Sequence, residues 1–251
     1  MRLLIFVVAY NAQQHITKTL DRIPRDWLAT TDYKILIIND ASVDKTSDLI
    51  EEYINAHPDI DITALNNDVN LGYGGNQKEG YEYAIQNKYD IVALLHGDGQ
   101  YAPEYLPQMI EPILKDQAEL VLGSRMLDKM KALEGNMPFY KWLGNQTLTF
   151  LQNRLLGTNL SEFHTGYRVY KVVALGRIPF SDNSNYFDFD TEIIIQLFDT
   201  GSRIKEISIP TFYGDEISYV NGLKYAWLII KTTVKSRLVK KKWVKDNRFL
   251  Y

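Results

Sequence analysis

Strand-length apolar runs without alternation constrain this chain more than any other feature: Leu3 to Ala9, Tyr33 to Ile38 and Asp90 to Leu95. Such runs fit strands buried on both faces, which is the situation inside a parallel sheet covered by helices. Between them lie helical patterns. One runs from about Gln13 to Ile23 and stops at Pro24; another, from about Lys45 to His57, is capped by Ser42 or Asp44 and ends at Pro58. Ile60 to Leu65 reads as a third strand and Gly75 to Asn87 as a helix, so Asp90 to Leu95 is the fourth strand. The alternation predicts an α/β fold, with a Rossmann-like, mostly parallel central sheet flanked by helices. Further on, helices are expected over Pro103–Lys115, Lys141–Leu156 and Asp190–Asp199, and strands over Ala118–Gly123, Thr165–Tyr170 and Arg203–Pro210. Neither an internal repeat nor a low-complexity linker divides the chain. The simplest parse is one domain over residues 1–215 followed by a basic helical tail over 216–251.

The bulk numbers exclude several classes. A net charge of −3 over 251 residues argues against a dedicated nucleic-acid binder, whose footprint is strongly basic. Cysteine is absent, so there are neither disulfides nor thiolate metal sites, and a reducing cytosol is compatible. The first residues start a strand rather than a secretory signal. No apolar run approaches the roughly 18 to 20 residues of a membrane span. The expectation is a cytoplasmic protein, soluble or peripheral on the inner face of a membrane.

The strand ends carry the chemistry. The first gives Ala9-Tyr10-Asn11, the second Asn39-Asp40-Ala41-Ser42-Val43-Asp44, and the fourth His96-Gly97-Asp98-Gly99-Gln100. In a parallel sheet these ends share one edge, where open α/β sheets bind ligands. Asp98 and Gln100, with His96, offer donors for a divalent cation on a diphosphate. Asp40 could accept a hydrogen bond from a base or a ribose, and Tyr10 could pack against either. Each is also an ordinary turn or cap residue when taken alone. After the third strand, Asn70-Leu71-Gly72-Tyr73-Gly74-Gly75-Asn76-Gln77-Lys78 looks like a phosphate loop opening a helix. Gly72 and Gly74 would allow close backbone approach to a nucleotide, and Lys78 could face its phosphates. The loop lacks the third glycine of the dinucleotide pattern and has no Gly-Lys-Ser/Thr, so neither a dehydrogenase nor a P-loop reading is supported.

Taken in order, Val7-Val8-Ala9-Tyr10-Asn11, Ile38 to Thr46, Asn70 to Gly74 and Gly97-Asp98-Gly99-Gln100 resemble the family 2 glycosyltransferases of GT-A fold. The branch they look most like contains the dolichol-phosphate and polyprenyl-phosphate glycosyltransferases, and the likeness spans about residues 3–215. It implies inverting transfer of a sugar from a UDP- or GDP-linked donor to a polyprenyl phosphate or a glycan hydroxyl. By position, Ala9, Tyr10, Asn11, Asp40, Asn70, Gly72, Lys78, Gly97 and Asp98 would line the nucleotide. Asp98, Gln100 and His96 would hold Mg²⁺ or Mn²⁺. Glu162-Phe163-His164-Thr165-Gly166-Tyr167-Arg168 resembles the family's segment near the donor sugar and acceptor, and Phe187 to Glu192 resembles its aromatic-acidic helix start. That makes Glu162, His164, Glu192 and Lys224 acceptor-side residues, with Asp190 and Arg168 catalytic. A hydroxyl acceptor needs a base, for which Asp190 is the candidate. A lipid phosphate is already anionic; Asp190 would then orient groups while Arg168 or Lys224 neutralises the phosphate.

Three departures from the family pattern remove negative charge. His96 replaces the first Asp of the usual Asp-x-Asp, Asn39 an Asp before Asp40, and Ala12 an acid after Tyr-Asn. An imidazole suits Mn²⁺ better than Mg²⁺. These changes also keep open a nucleotide-sugar-binding module with weak or lost catalysis. A sugar-nucleotide pyrophosphorylase is disfavoured, because Tyr10-Asn11-Ala12-Gln13 stands where those enzymes carry a glycine-rich loop with arginine.

The tail has its own pattern. Leu223, Ala226, Trp227, Ile230, Val234 and Leu238 share a helical face, with Lys224, Lys231, Lys235 and Lys242 beside it. Between Lys224 and Arg248 there are nine Lys or Arg and one acid. Such a helix lies on an anionic membrane through residues 223–248, or docks on the domain or a twin subunit with a solvated lysine face.

Overall fold

The computed structural model describes residues 1–211 and 222–250. The expected domain boundary at 215/216 falls outside them. Seven strands form one sheet: β1 (Leu3–Ala9), β2 (Tyr33–Asn39), β3 (Ile62–Asn66), β4 (Ile91–His96), β5 (Leu120–Ser124), β6 (Arg168–Lys171) and β7 (Ile204–Ser208). Their order is β3-β2-β1-β4-β6-β5-β7. All neighbours are parallel except β6, which runs antiparallel between β4 and β5. The helices are α1 (Ile16–Asp21), α2 (Arg25–Leu28), α3 (Thr46–Ala56), α4 (Tyr73–Gln86), α5 (Leu106–Leu114), α6 (Lys129–Glu134), α7 (Phe139–Leu156), α8 (Val172–Leu175), α9 (Phe189–Asp199) and α10 (Gly222–Lys240).

The apolar runs are central because they feed two cores at once. Alternate residues of a strand point to opposite faces. Leu3, Ile5 and Val7 therefore join Ile16, Ile50 and Ile110 on one side. Leu4 and Phe6 join Tyr81, Phe189 and Ile193 on the other. The expected strands all form, within a few residues. The first expected helix is shorter than its pattern: α1 ends at Asp21, and the chain restarts beyond Pro24 as α2. A proline tolerates the N-terminal boundary of a helix but not its interior.

The strand order reverses between β1 and β4. Helical connections diverge there, leaving a crevice beyond the carboxyl ends. Val8 pairs with Ile38 on one side and with His96 on the other. The ends carrying Tyr10, Asp40 and Asp98 thus come together, as the sequence predicts.

The tail docks differently from its apolar pattern. The residues that α10 buries are Ile229, Thr232, Thr233, Ser236 and Val239. Leu223 is 88% exposed, Trp227 65% and Val234 38%. The helix packs against α7 and α9 with a mostly small, polar face; of the predicted apolar face Leu223, Trp227 and Val234 are exposed, while Ala226, Ile230 and Leu238 are half-buried. No helix among the described residues is long and apolar enough to cross a membrane.

Candidate active site

Asp40 is buried at the end of β2, and its carboxylate is an internal anion. Oδ1 accepts from the Leu71 amide at 2.8 Å and from Asn67 Nδ2 at 2.9 Å; Oδ2 accepts from the Gly72 amide at 3.1 Å. Asn70 Nδ2 donates to the Asp40 carbonyl at 3.1 Å. Asp40 thus fixes the chain entering α4, whose N-cap is Gly72, and within the first turn the Gly74 amide is taken by the Asn185 carbonyl at 2.8 Å. The Leu71, Gly72 and Gly74 amides thus have acceptors within the protein. The glycines have a matching reason. Gly72 adopts φ +82°, and a Cβ there would lie 2.7 Å from Asn185 O; one on Gly74 would lie 2.4 Å from Ser184 O. Their smallness accommodates the 184–185 segment. Lys78 is likewise committed, donating to the Asn183 carbonyl and to Asn185 Oδ1 at 2.8 Å. The loop expected to face a phosphate here braces the 183–185 segment.

The ends of β1 and β2 are laced together. Asp40 N donates to Ala9 O at 2.8 Å, Asn11 N to Ser42 Oγ at 2.9 Å, and Val43 N to Asn11 Oδ1 at 3.0 Å. Asn11 holds φ +48° to make these bonds. Tyr10 is left 42% exposed at the rim, the position from which a ring can cover a base.

Asp98 sits in the turn after β4 and is half-buried; Gln100 N donates to its Oδ1 at 3.0 Å. His96, two residues earlier, faces inward. Its ring lies 5.1 Å from that of Tyr101 and 5.6 Å from that of Tyr73. Burial lowers its pKa, against the pull of Asp98 and Asp190. Gly166 lies under the ring: a Cβ there would be 2.6 Å from His96 Cε1 and Nε2. Among the described residues, no three His, Cys, Asp or Glu side chains cluster as a closed metal site. A half-buried carboxylate in a turn, with one oxygen taken by its own loop, fits a cation shared with a ligand's phosphates rather than one caged by protein.

The deepest cluster centres on Arg168 and Asp190. Arg168 is fully buried. Its Nη2 lies 3.2 Å from Asp190 Oδ2, while Nε donates to Thr165 O at 2.8 Å and Nη1 to Asp190 O at 3.0 Å. Desolvation works against the guanidinium charge, but Asp190 together with Tyr170 and Tyr73 pushes the Arg168 pKa above its ordinary value. The Asp190 carboxylate also accepts from Tyr73 OH at 2.8 Å and from Gln77 Nε2 at 3.2 Å. Burial, and then Asp190, push the Tyr73 phenol well up, so it is a donor throughout the physiological range.

Glu162, His164 and Glu192 are distributed around this centre. Glu162 is fully buried; despite desolvation, Arg125 keeps its pKa low. It also accepts from Arg125 N at 2.7 Å and from Asn145 at 2.8 Å. His164 has a pKa lowered to about 4 by burial, and its Nδ1 meets Tyr225 OH of α10 at 2.8 Å. Glu192 stands two residues from Asp190 on α9, and side chains at that spacing do not share a helix face. It pairs with Arg248 and accepts from Ser184 N at 2.7 Å, so it braces the tail and the 184 loop instead of joining Asp190. Lys224 lies with its Nζ 5.9 Å from the Tyr186 ring centroid.

Sequence reasoning did not single out Tyr73, Tyr101 and Arg125 as site residues. Arg125 had a readable signal: it follows Gly123-Ser124 at the end of β5, in the same kind of position as Asp98 after β4. Tyr101 had none, since its hydroxyl accepts from Gly166 N, 65 residues away, at 2.6 Å.

The family model for glycosyl transferase family 2 matches residues 4–178, which takes in the ends of β1, β2, β4 and β5. This chain belongs to glycosyl transferase family 2. As a family 2 glycosyltransferase it is an enzyme of nucleotide-sugar chemistry, and the likeness read from its motifs holds. It is 29% identical over 220 residues to undecaprenyl-phosphate mannosyltransferase of Micrococcus luteus, covering 86% of each chain. To UDP-N-acetylglucosamine–dolichyl-phosphate N-acetylglucosaminyltransferase of Methanococcus voltae it is 26% identical, covering 87% of this chain and 88% of that one. Its fold matches glucosyl-3-phosphoglycerate synthase of Mycobacterium tuberculosis, solved with Mn²⁺, UDP and glucosyl-3-phosphoglycerate. The TM-score is 0.65 at 14% identity, covering 98% of this chain and 81% of that one.

Proposed function

We propose that this family 2 glycosyltransferase transfers a sugar, with inversion, from a UDP- or GDP-sugar to a polyprenyl phosphate. The observation that carries the choice of acceptor is the state of Asp190. Its carboxylate is paired with Arg168 and accepts from Tyr73 and Gln77, so it is committed to holding neighbours in place. A glycan hydroxyl would need a base at that point. A phosphate acceptor is already a nucleophile and needs only positioning and charge neutralisation. Lys224, beside Tyr186 at the rim, is suited to the acceptor phosphate; Arg168 is spent on Asp190.

On the donor side, Tyr10 would cover the base, and Asp98 with Gln100 would hold Mg²⁺ or Mn²⁺. The cation would supply charge stabilisation to the departing nucleotide. His96 is not required as a ligand in this scheme: its ring packs among Tyr73, Tyr101 and Gly166. Asp40 acts indirectly, by fixing the loop from Asn67 to Gly72. The names of the similar proteins, two of which end in transfer to a lipid phosphate, support the acceptor class. Peripheral contact with the inner face of a membrane through residues 223–248 would bring that acceptor to the site.

The test is transfer of labelled sugar from a panel of UDP- and GDP-sugars to a short-chain prenyl phosphate, with Mg²⁺ or Mn²⁺. Transfer should require the metal and fall at least about a hundredfold in Asp98→Ala, the scale of one lost charge-stabilising contact. Unchanged turnover in that variant would sink the assignment. Donor binding without transfer to any acceptor would favour the non-catalytic alternative raised by His96, Asn39 and Ala12.

A further inference from the structure

We propose that Arg22 and Glu104 form a clamp that holds the turn Asp98-Gly99-Gln100 in its cation-binding shape. Both are positioning residues: they act through the turn and touch no substrate. The inference rests on the reading of Asp98 and Gln100 as the protein's donors to the cation, and goes beyond it by naming what keeps those donors in place.

The turn is built against α1, and its two glycines are the points of contact. A Cβ on Gly97 would lie 2.9 Å from Ile16 Cδ1 and 3.6 Å from Ala12 Cβ; one on Gly99 would lie 3.5 Å from Thr19 Oγ1 and 3.6 Å from His15 Cβ. Gly99 also holds φ +75°, a conformation that side chains disfavour. His15, Thr19 and Arg22 are spaced i, i+4 and i+7, so they line one face of the helix and its caps. Arg22 is the C-cap, because the helix has to end before Pro24. From there its Nε donates to Glu104 Oε1 at 2.6 Å and its Nη2 to Oε2 at 3.0 Å, a two-point fork, while Nη1 lies 3.4 Å from the Gly99 carbonyl oxygen. Glu104 sits in the short 3₁₀ turn Pro103–Tyr105 that follows Gln100. One guanidinium thus ties the middle of the cation turn to the chain beyond it.

Helix α1 is a firm base for such a clamp. Ahead of it Ala12 N donates to Thr46 Oγ1 at 2.8 Å, and at its end Asp21 Oδ1 accepts from Tyr53 OH at 2.8 Å. Both partners belong to α3. The clamp therefore sets the cation turn relative to the ends of β1 and β2, which carry Tyr10 and Asp40. The outer side of the turn has no comparable packing: a cavity of about 220 Å³ is lined by Arg22, Gln100, Ala102, Pro210 and Thr211. Without the clamp, Gln100 has room to turn away. Stability is not what the pair supplies. The Arg22 and Glu104 side chains are 39% and 49% exposed, and ion pairs that open to water add little. A two-point fork supplies geometry instead. Contacts that support metal ligands in this way change metal affinity by about tenfold to a hundredfold.

The test is Mn²⁺ binding to the full chain in the presence of UDP and, in parallel, GDP, read from the electron paramagnetic resonance signal of free Mn²⁺. Arg22→Met with Glu104→Gln removes one charge of each sign, so the loss reports the clamp and not the field at the turn. The dissociation constant for Mn²⁺ should rise roughly tenfold, with the melting temperature within about 4 °C of wild type. Arg22→Met alone should also bind Mn²⁺ more weakly, whereas withdrawing a positive charge from beside a cation would by itself strengthen binding. In a transfer assay the shift should appear in the Mn²⁺ concentration giving half-maximal rate, with the rate at saturating Mn²⁺ lowered by less than about twofold. An unchanged dissociation constant in the double variant overturns the clamp, as does tighter binding by Arg22→Met. So does weaker binding accompanied by a larger fall in melting temperature, which would make the pair a brace of the fold. Asp98→Ala separates this inference from the reading beneath it. If that variant loses Mn²⁺ while the double variant binds as wild type does, the clamp falls and the cation assignment stands. If wild type takes up no Mn²⁺ with either nucleotide, or Asp98→Ala takes up as much as wild type, both fall.

Discussion

Replacing Asp190 by Asn isolates what the buried ion pair does. Asn keeps the shape of the side chain and can still accept from Tyr73 or Gln77. It leaves the Arg168 guanidinium, 0% exposed, without a counter-charge. Breaking a buried pair from one side costs about 3–5 kcal/mol. Arg168 retains the carbonyls of Thr165, Phe163 and residue 190 as acceptors, so the loss should fall near the lower end, about 3 kcal/mol. Set against a total of roughly 5–15 kcal/mol, the variant should fold but be clearly weakened. Adding Arg168→Met removes the orphaned charge, and the double variant should be at least about 1 kcal/mol more stable than the sum of the single losses predicts. Urea unfolding followed by circular dichroism reads this as a lower midpoint at unchanged slope. Transfer to a prenyl phosphate should fall about tenfold to a hundredfold, the scale of a misplaced neighbour such as Tyr73. An Asp190→Asn midpoint within error of wild type, or strictly additive losses in the double variant, would refute the view of Asp190 as the counter-ion that organises this centre.

Two further outcomes follow from the same geometry. Burial lifts the Glu192 carboxyl from 4.5 to about 7 even though Arg248 pairs with it. The folded state therefore binds the extra proton between these values, and stability contributed by the protonated form is lost as pH rises from about 4.5 to 7, by at most ~3 kcal/mol. Glu192→Gln should flatten melting temperature against pH in that window; parallel curves for variant and wild type would contradict it. Gly166→Ala places a methyl against the His96 ring, which Tyr73 and Tyr101 confine, and should destabilise by about 1–3 kcal/mol. His96→Ala in the same chain should relieve most of that loss, and a thermal melt showing no relief would place the strain elsewhere.

Strands β1, β2 and β4 were legible because burial on both faces leaves a local mark, an apolar run with no alternation. The antiparallel insertion of β6 left no comparable mark: Arg168 to Lys171 is short, and its direction depends on pairing with β4 and β5. Asp98, Asp40 and Tyr10 could be placed on one edge from strand ends alone. The work each does could not be read that way. Asp40 is satisfied by Asn67, Leu71 and Gly72 across a gap of some thirty residues, so its carboxylate holds a loop. The partners of Lys78 and Glu192 were equally illegible, since they belong to Asn183, Asn185, Ser184 and Arg248, far away in the chain.

The sequence by itself determined the sheet that carries the site and the family to which the chain belongs, because apolar periodicity and strand-end motifs are properties of consecutive residues. It also determined that α10 has an apolar face. Which face would be buried was decided only by tertiary structure: α7 and α9 offered α10 a partner surface that its threonines and serine fit, leaving Leu223, Trp227 and Val234 outside. The partners of Asp190 were decided in the same way. Arg168, Tyr73 and Gln77 come from distant parts of the chain, and only the fold brings their donors to one buried carboxylate.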